Sequence, residues 1–167
     1  MGLFDMFKKK DAAPSFPVVL AADAAGAFVK MEDIPDEVFA QGILGQCCGI
    51  DPSEGKVYAP ADGTVESLLE SHHAVCLLTP GGAELLVHVG KDTVSLNGKH
   101  FAAHVKEGDK VKRGQLLLSF EREALLAEGF DLTTPVVVSN GDEFSMEKVQ
   151  DGQIRPGDTV ITLTKKA

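Results

Sequence analysis

From Val18 onward, apolar and polar residues follow one another in short runs. Residues 18–20, 63–68, 74–78, 84–89, 116–120, 135–139 and 159–163 each read as a strand, and Gly, Pro, Asp or Asn separates most of them. This punctuation belongs to a sandwich or barrel rather than to βαβ units. Helical signal is confined to 121–128, where Leu125 and Leu126 share a side, and to a turn or two at 36–40 and 145–149. The pattern predicts an all-β fold, a sandwich or barrel with a few short helical turns. A weak internal repeat agrees with it. Val111-Lys112-Arg113-Gly114-Gln115-Leu116-Leu117 is echoed by Ile154-Arg155-Pro156-Gly157-Asp158-Thr159-Val160, and Ala59-Pro60-Ala61-Asp62-Gly63-Thr64-Val65 is a third turn that opens a strand. Biotinyl and lipoyl carrier domains use similar turns, but they present a lysine at a hairpin tip, and no lysine here has that setting.

Length and composition narrow the class. A chain of 167 residues allows one domain that buries roughly 70% of its unfolded surface. Residues 18–167 are expected to form it. The 44% hydrophobic content fits a globular chain, and no apolar run approaches the ~20 residues of a membrane helix. The net charge of −9 and a pI near 4.9 argue against a nucleic-acid partner. Cys47, Cys48 and Cys76 are odd in number and form no CxxC, so neither a disulfide framework nor a zinc ribbon is indicated. No secretory leader is evident, and a cytoplasmic location follows.

The charge is uneven. Lys8, Lys9 and Lys10 stand against Asp5 in the first ten residues, so that stretch is +2 and the remainder −11. Leu3 and Phe7 are spaced to share a helix face. Residues 1–17 therefore read as a tail and linker, with residues 1–10 either frayed or touching an anionic membrane surface.

The chemistry concentrates around Pro80-Gly81-Gly82. Ser71-His72-His73-Ala74-Val75-Cys76-Leu77-Leu78-Thr79 precedes it and Ala83-Glu84-Leu85-Leu86-Val87-His88-Val89-Gly90 follows. Two strands about a Gly-Gly turn make a hairpin. With Gly81 and Gly82 as its two loop residues, His88 lies opposite Val75 and His73 opposite Gly90. The two histidines become diagonal neighbours roughly 7–8 Å apart, and Gly90 leaves room above His73. A slip of one residue would exchange His73 for His72. Leu86 shares the face of His88.

Neutral imidazole is a nucleophile near pH 7. One ring can attack phosphorus while the other donates to the phosphoryl oxygens, a transfer that depends on positioning and charge. Two other uses of these residues stay open. A histidine inside an apolar run is by default a core residue of a non-catalytic binding module. His73, His88 and Asp92, the last two in His-x-x-x-Asp spacing, also make a three-ligand zinc set.

The segment Gly82-Ala83-Glu84-Leu85-Leu86-Val87-His88-Val89-Gly90-Lys91-Asp92-Thr93-Val94 resembles the phosphorylated-histidine segment of the glucose-class enzyme IIA of the bacterial phosphoenolpyruvate-dependent sugar phosphotransferase system. Ser71-His72-His73-Ala74-Val75 resembles the segment of that family's second active-site histidine, with Ser71 where members often have Thr. Val57 to Thr64, Thr134 to Asn140 and Met1-Gly2-Leu3-Phe4-Asp5 are similar to family segments too.

The resemblance implies an all-β fold, an antiparallel β-sandwich or flattened barrel of the duplicated hybrid motif type, with His88 as phosphoryl acceptor, His73 in support, and Ser71, Leu86, Gly90 and Asp92 around them. It implies phosphate arriving from the histidine-containing phosphocarrier protein and leaving for the IIB part of a IIB/IIC sugar permease. Other permeases or metabolic enzymes are implied as regulatory partners, and the tail as a membrane contact. No cofactor is needed; a zinc ion at His73 and His88 would have to be completed by a partner. A lysostaphin-like zinc hydrolase is the alternative enzyme, although its His-x-His is absent. Departures include Cys47 and Cys48 where members have a Gly-Asp-Gly turn, which would place Cys47 at positive φ. They also include Lys91 for an apolar residue, His100 for Gly, and Leu86 for Phe. His72 and His104 read as exposed or structural.

Overall fold

The computed structural model describes residues 16–149, 152–155 and 157–166. The expected tail, residues 1–15 of it, lies outside the described residues. Among the latter no helix is long and apolar enough to cross a membrane.

The strands run in chain order as β1 (Val18–Ala21), β2 (Gly26–Val29), β3 (Gln46–Pro52), β4 (Lys56–Tyr58), β5 (Gly63–Leu68), β6 (Ala74–Leu78) and β7 (Glu84–His88). They continue as β8 (Phe101–Ala103), β9 (Lys110–Val111), β10 (Leu116–Phe120), β11 (Thr134–Val138), β12 (Phe144–Lys148), β13 (Gln153–Ile154) and β14 (Thr159–Lys165). Two short helices, α1 (Glu37–Ala40) and α2 (Arg122–Ala127), lie where the apolar spacing predicts them. The third helical expectation fails. Residues 145–149 fall largely in β12, because Phe144 and Met146 face the core while Ser145 and Glu147 face solvent, an alternation of period two.

The strands form a sheet of order β13-β2-β3-β11-β7-β6-β5-β9 and two three-stranded sheets, β1-β14-β12 and β4-β10-β8. All pairings are antiparallel. The small sheets repeat one another. β9 edges β5 as β13 edges β2, through the pairs Gly63 with Val111 and Gly26 with Ile154. Equivalent backbone bonds recur: the Ala59 amide donates to the Gln115 carbonyl at 2.8 Å, and the Ala22 amide to the Asp158 carbonyl at 2.7 Å. The chain is thus an antiparallel β-sandwich built on a duplicated unit.

The main core fills the space between the large sheet and the two small ones. Val65, Leu77, Leu85, Val87, Val136 and Ile50 meet Leu20, Val57, Leu117 and Ile161 there. A second, smaller cluster of Ile34, Phe39, Cys47 and Val137 covers the opposite face of the large sheet. Strand β11 is therefore buried on both faces, and its Val-Val-Val run needs no polar alternation.

The β6–β7 hairpin departs from the expected register. Thr79 pairs with Ala83 and its hydroxyl accepts from the Ala83 amide at 3.0 Å, so the loop is Pro80-Gly81-Gly82 rather than two glycines. Gly82 takes the left-handed conformation at φ +87, as a three-residue hairpin loop requires. Every pair moves by one residue: His88 faces Ala74, and Val87 faces Val75.

Candidate functional site

Strand alternation positions His88. Leu85 and Val87 point into the main core, so Leu86 and His88 emerge on the opposite face. Opposite His88, Ala74 presents only a methyl group. His73 lies one residue before β6, and register alone would turn it inward with Val89. His72 prevents this: its φ of +57 breaks the alternation at the strand entrance. The His73 and His88 rings meet edge to face, with centroids 4.8 Å apart and planes at 90°. The pair expected from a diagonal cross-strand contact is thus made by a backbone reversal instead.

His73 is buried, and its Nδ1 lies 2.6 Å from the Ser71 hydroxyl. Burial lowers its affinity for a proton. His88 is half-buried. Burial foremost, and then the neighbouring His73, push it down to about 4, against a smaller opposing effect of Asp36 and the Gly90 backbone. Both rings are therefore neutral at pH 7. The Nδ1 of His88 is buried, which leaves Nε2 as its reactive nitrogen.

Two contributors were not legible beforehand. Phe39 packs against His88, centroids 5.0 Å apart and tilted by 53°. Asp36 caps α1 by accepting from the Val38 amide at 3.1 Å, and this cap holds Phe39 in place. The only prior signal was the short helical pattern at 36–40.

Gly90 has a role other than the expected one. It turns the chain out of β7 at φ +73, and a Cβ there would lie 2.7 Å from the Asp131 carbonyl. The close approach, not room above His73, demands glycine. Asp92 takes φ +60 and is exposed. Its carboxylate caps nothing on the 3-10 turn Thr93–Leu96. Among the described residues no third His, Cys, Asp or Glu joins His73 and His88 in a metal-binding group. A metal held there would need a partner's ligand.

The cysteines are free thiols. Cys47 is buried with its Sγ 3.7 Å from the Phe39 carbonyl, beneath the residue that covers His88. It sits in extended β3; the positive φ of that turn falls on Gly45, so the expected strain at Cys47 is absent. Cys48 points to the other face, toward the Val160 carbonyl. Burial pushes the two thiols up to about 11 and about 12. Cys76 faces Leu86 on the histidine face. His104 bonds Ser119, and His100, at φ +73, bridges Glu121 and Glu128.

Apolar residues flank the pair. Among the described residues six large hydrophobics are exposed, and four of them, Val38, Ile43, Leu44 and Val94, lie on the segments beside Phe39 and His88. That concentration is more than scattered surface apolarity requires.

Comparison with known proteins agrees with this architecture. Residues 18–144 match the family model for the phosphoenolpyruvate-dependent sugar phosphotransferase system, EIIA 1. The glucose-specific EIIA component of Halalkalibacterium halodurans is 40% identical over 96% of this chain and 94% of its own. That of Haemophilus influenzae is 36% identical over 99% and 100%. The beta-glucoside-specific EIIBCA component of Dickeya chrysanthemi is 46% identical over 81% of this chain, which spans 22% of that longer protein. The solved structure of glucose permease IIA from Mycoplasma capricolum superposes with a TM-score of 0.81 at 26% identity, covering 89% of this chain and 96% of that one.

Proposed function

We infer the function from one premise: the chain belongs to the EIIA 1 family of the phosphoenolpyruvate-dependent sugar phosphotransferase system. We propose that His88 accepts a phosphoryl group from the phosphohistidine of the histidine-containing phosphocarrier protein and passes it to a cysteine of a IIB domain. The Nε2 lone pair of His88 attacks phosphorus, the P–N bond to the donor imidazole breaks, and that imidazole keeps the electron pair. In the second step the IIB thiolate attacks, and the P–N bond to His88 breaks.

The observation that carries this reading is a neutral, half-buried His88 whose ring meets a second, buried imidazole. A neutral ring has the lone pair that attack requires. Ser71 donating to Nδ1 of His73 would leave the His73 proton on Nε2, where it can hydrogen-bond a phosphoryl oxygen. The apolar surroundings exclude water, which protects a labile phosphoramidate from hydrolysis. Free thiols and the relay itself suit the cytoplasm.

The exposed Val38, Ile43, Leu44 and Val94 form the docking surface in this reading. Phosphorylation adds about −1.5 to −2 charge to it. Regulatory partners that bury this surface would then bind the dephosphorylated form and be repelled by the other, because the charge must be desolvated.

The test is incubation with phosphoenolpyruvate, enzyme I and the phosphocarrier protein. The expected result is one acid-labile, alkali-stable phosphoryl group, lost in His88→Ala. No mass increment, or one that survives His88→Ala, would sink the proposal.

A further inference from the structure

Two turns related by the internal duplication differ in a telling place. Ala22-Asp23-Ala24-Ala25-Gly26 opens β2, and Ala59-Pro60-Ala61-Asp62-Gly63 opens β5. Counted back from Gly26 and Gly63, Asp23 stands where the sister turn has Pro60. The backbone confirms the equivalence through reciprocal bonds. The Tyr58 amide donates to the Asp23 carbonyl at 2.7 Å, and the Ala21 amide donates to the Pro60 carbonyl at 2.8 Å. The fold therefore builds this position twice, once around an uncharged ring and once around a carboxyl group.

Asp23 is fully buried, and neither carboxyl oxygen has a hydrogen-bond partner among the described residues. Its neighbours Ala22 and Ala24, and Cys48 on β3, belong to the main core. The titratable groups on the surrounding segments are committed elsewhere. Asp23 acts electrostatically on Cys48, whose thiol holds its own proton. The Tyr58 hydroxyl bonds Glu54. Asp62 accepts from the Arg113 amide, and Asp158 from the Arg155 amide. From β12, Lys148 reaches Gln46 and the Cys47 carbonyl. A carboxylate in this place is closed to solvent and finds no hydrogen-bond donor among the described residues, so the neutral acid is favoured. Burial accordingly holds Asp23 well above the usual carboxylate range, with a partial offset from its own backbone amide.

We propose that Asp23 makes folding of this domain proton-coupled: the native chain holds the carboxyl as the neutral acid, and opening the 22–26 turn releases its proton to water. The O–H bond breaks, the carboxylate keeps the electron pair, and the proton leaves with solvent. Because the native group binds its proton more tightly than the unfolded one, acid favours the native state through Asp23. Below about pH 4, the ordinary carboxylate value, both states are protonated and Asp23 contributes no pH dependence. As pH rises above that, the unfolding constant grows about tenfold per pH unit until the native carboxyl itself ionises. Asp23 therefore supports the fold during acidification, over the range in which buried neutral histidines weaken it.

The test is denaturant unfolding between pH 4 and pH 8 of the wild type, Asp23→Asn and Asp23→Pro, the last being the residue of the sister turn. The ratio of the wild-type to variant unfolding constants is expected to rise about tenfold per unit from pH 4 upward. A second measurement does not depend on the variants folding. The native wild-type protein at pH 6 should show the infrared carbonyl band of a protonated carboxylic acid, shifted by 13C labelling of aspartate. Parallel pH profiles would overturn the proposal, and so would absence of that band.

Discussion

The His88 ring meets two others, with the His73 centroid 4.8 Å away and the Phe39 centroid 5.0 Å away. His73 meets it at right angles and lowers its proton affinity, while Phe39 contributes to its apolar cover. Burial foremost, and then His73, keeps His88 uncharged near neutrality.

This arrangement sets a pH dependence. His88 should titrate near pH 4 in the folded protein, against about 6.5 unfolded. Its contribution to stability is present above the unfolded value and is lost as pH falls toward 4, a change of about 3 kcal/mol. NMR titration of the ring resonances checks the first statement. Comparison of unfolding in wild type and His88→Gln checks the second. A midpoint above pH 6 would contradict both. Asp23 works in the opposite sense, so the wild-type profile alone conceals both effects.

Phe39→Ala should expose His88 and Cys47 together, because the Phe39 ring packs on the first and shares a buried apolar cluster with the second. The expected loss is about 3 kcal/mol from truncating a buried aromatic. The His88 midpoint should move up, and Cys47 should begin to react with thiol reagents. An unchanged midpoint would mean that Phe39 does not control the environment of the ring.

His73→Ala should still accept phosphate on His88 but should fail to pass it on. Ser71→Ala should retain acceptance and slow onward transfer by about tenfold, since it frees the His73 ring without removing it. Single-turnover transfer to a purified IIB domain separates the two steps. Loss of acceptance in Ser71→Ala with normal folding would show that Ser71 serves the first step.

The apolar surface should act on encounter rather than chemistry. Ile43 is 66% exposed, so Ile43→Glu should leave the melting temperature within a degree or two of wild type. It should raise KM for the phosphocarrier protein about tenfold or more, with kcat little changed. Steady-state phosphorylation kinetics test this, and an unaltered KM would place the docking surface elsewhere.

Much of this protein is legible in one dimension. The runs at 63–68, 74–78 and 84–89 declare strands because their inner residues alternate with outer ones, and the same alternation puts Leu86 and His88 on one face. The turns before Gly63, Gly114 and Gly157 carry the duplication openly. What the pattern could not supply depends on contacts distant in sequence. Strand β3 hides because Cys47 and Cys48 are buried on opposite faces, by Phe39 and by the main core. The hairpin register rests on a single left-handed glycine at position 82 and the Thr79 hydroxyl. A tight-turn motif alone cannot distinguish a two-residue loop from a three-residue one.

The sequence by itself determined the fold class, the candidate pair of histidines and the family, since each is written in local periodicity or in contiguous motifs. Only the tertiary structure decided how the pair meets, through the reversal at His72, and what covers it, through Phe39 held by the Asp36 cap. It also decided that Asp23, an ordinary surface-type residue in the linear chain, is sealed in the core opposite its sister Pro60. Burial is a property of the whole assembled chain, and it is burial that turns His88 into a neutral nucleophile and Asp23 into an acid that keeps its proton.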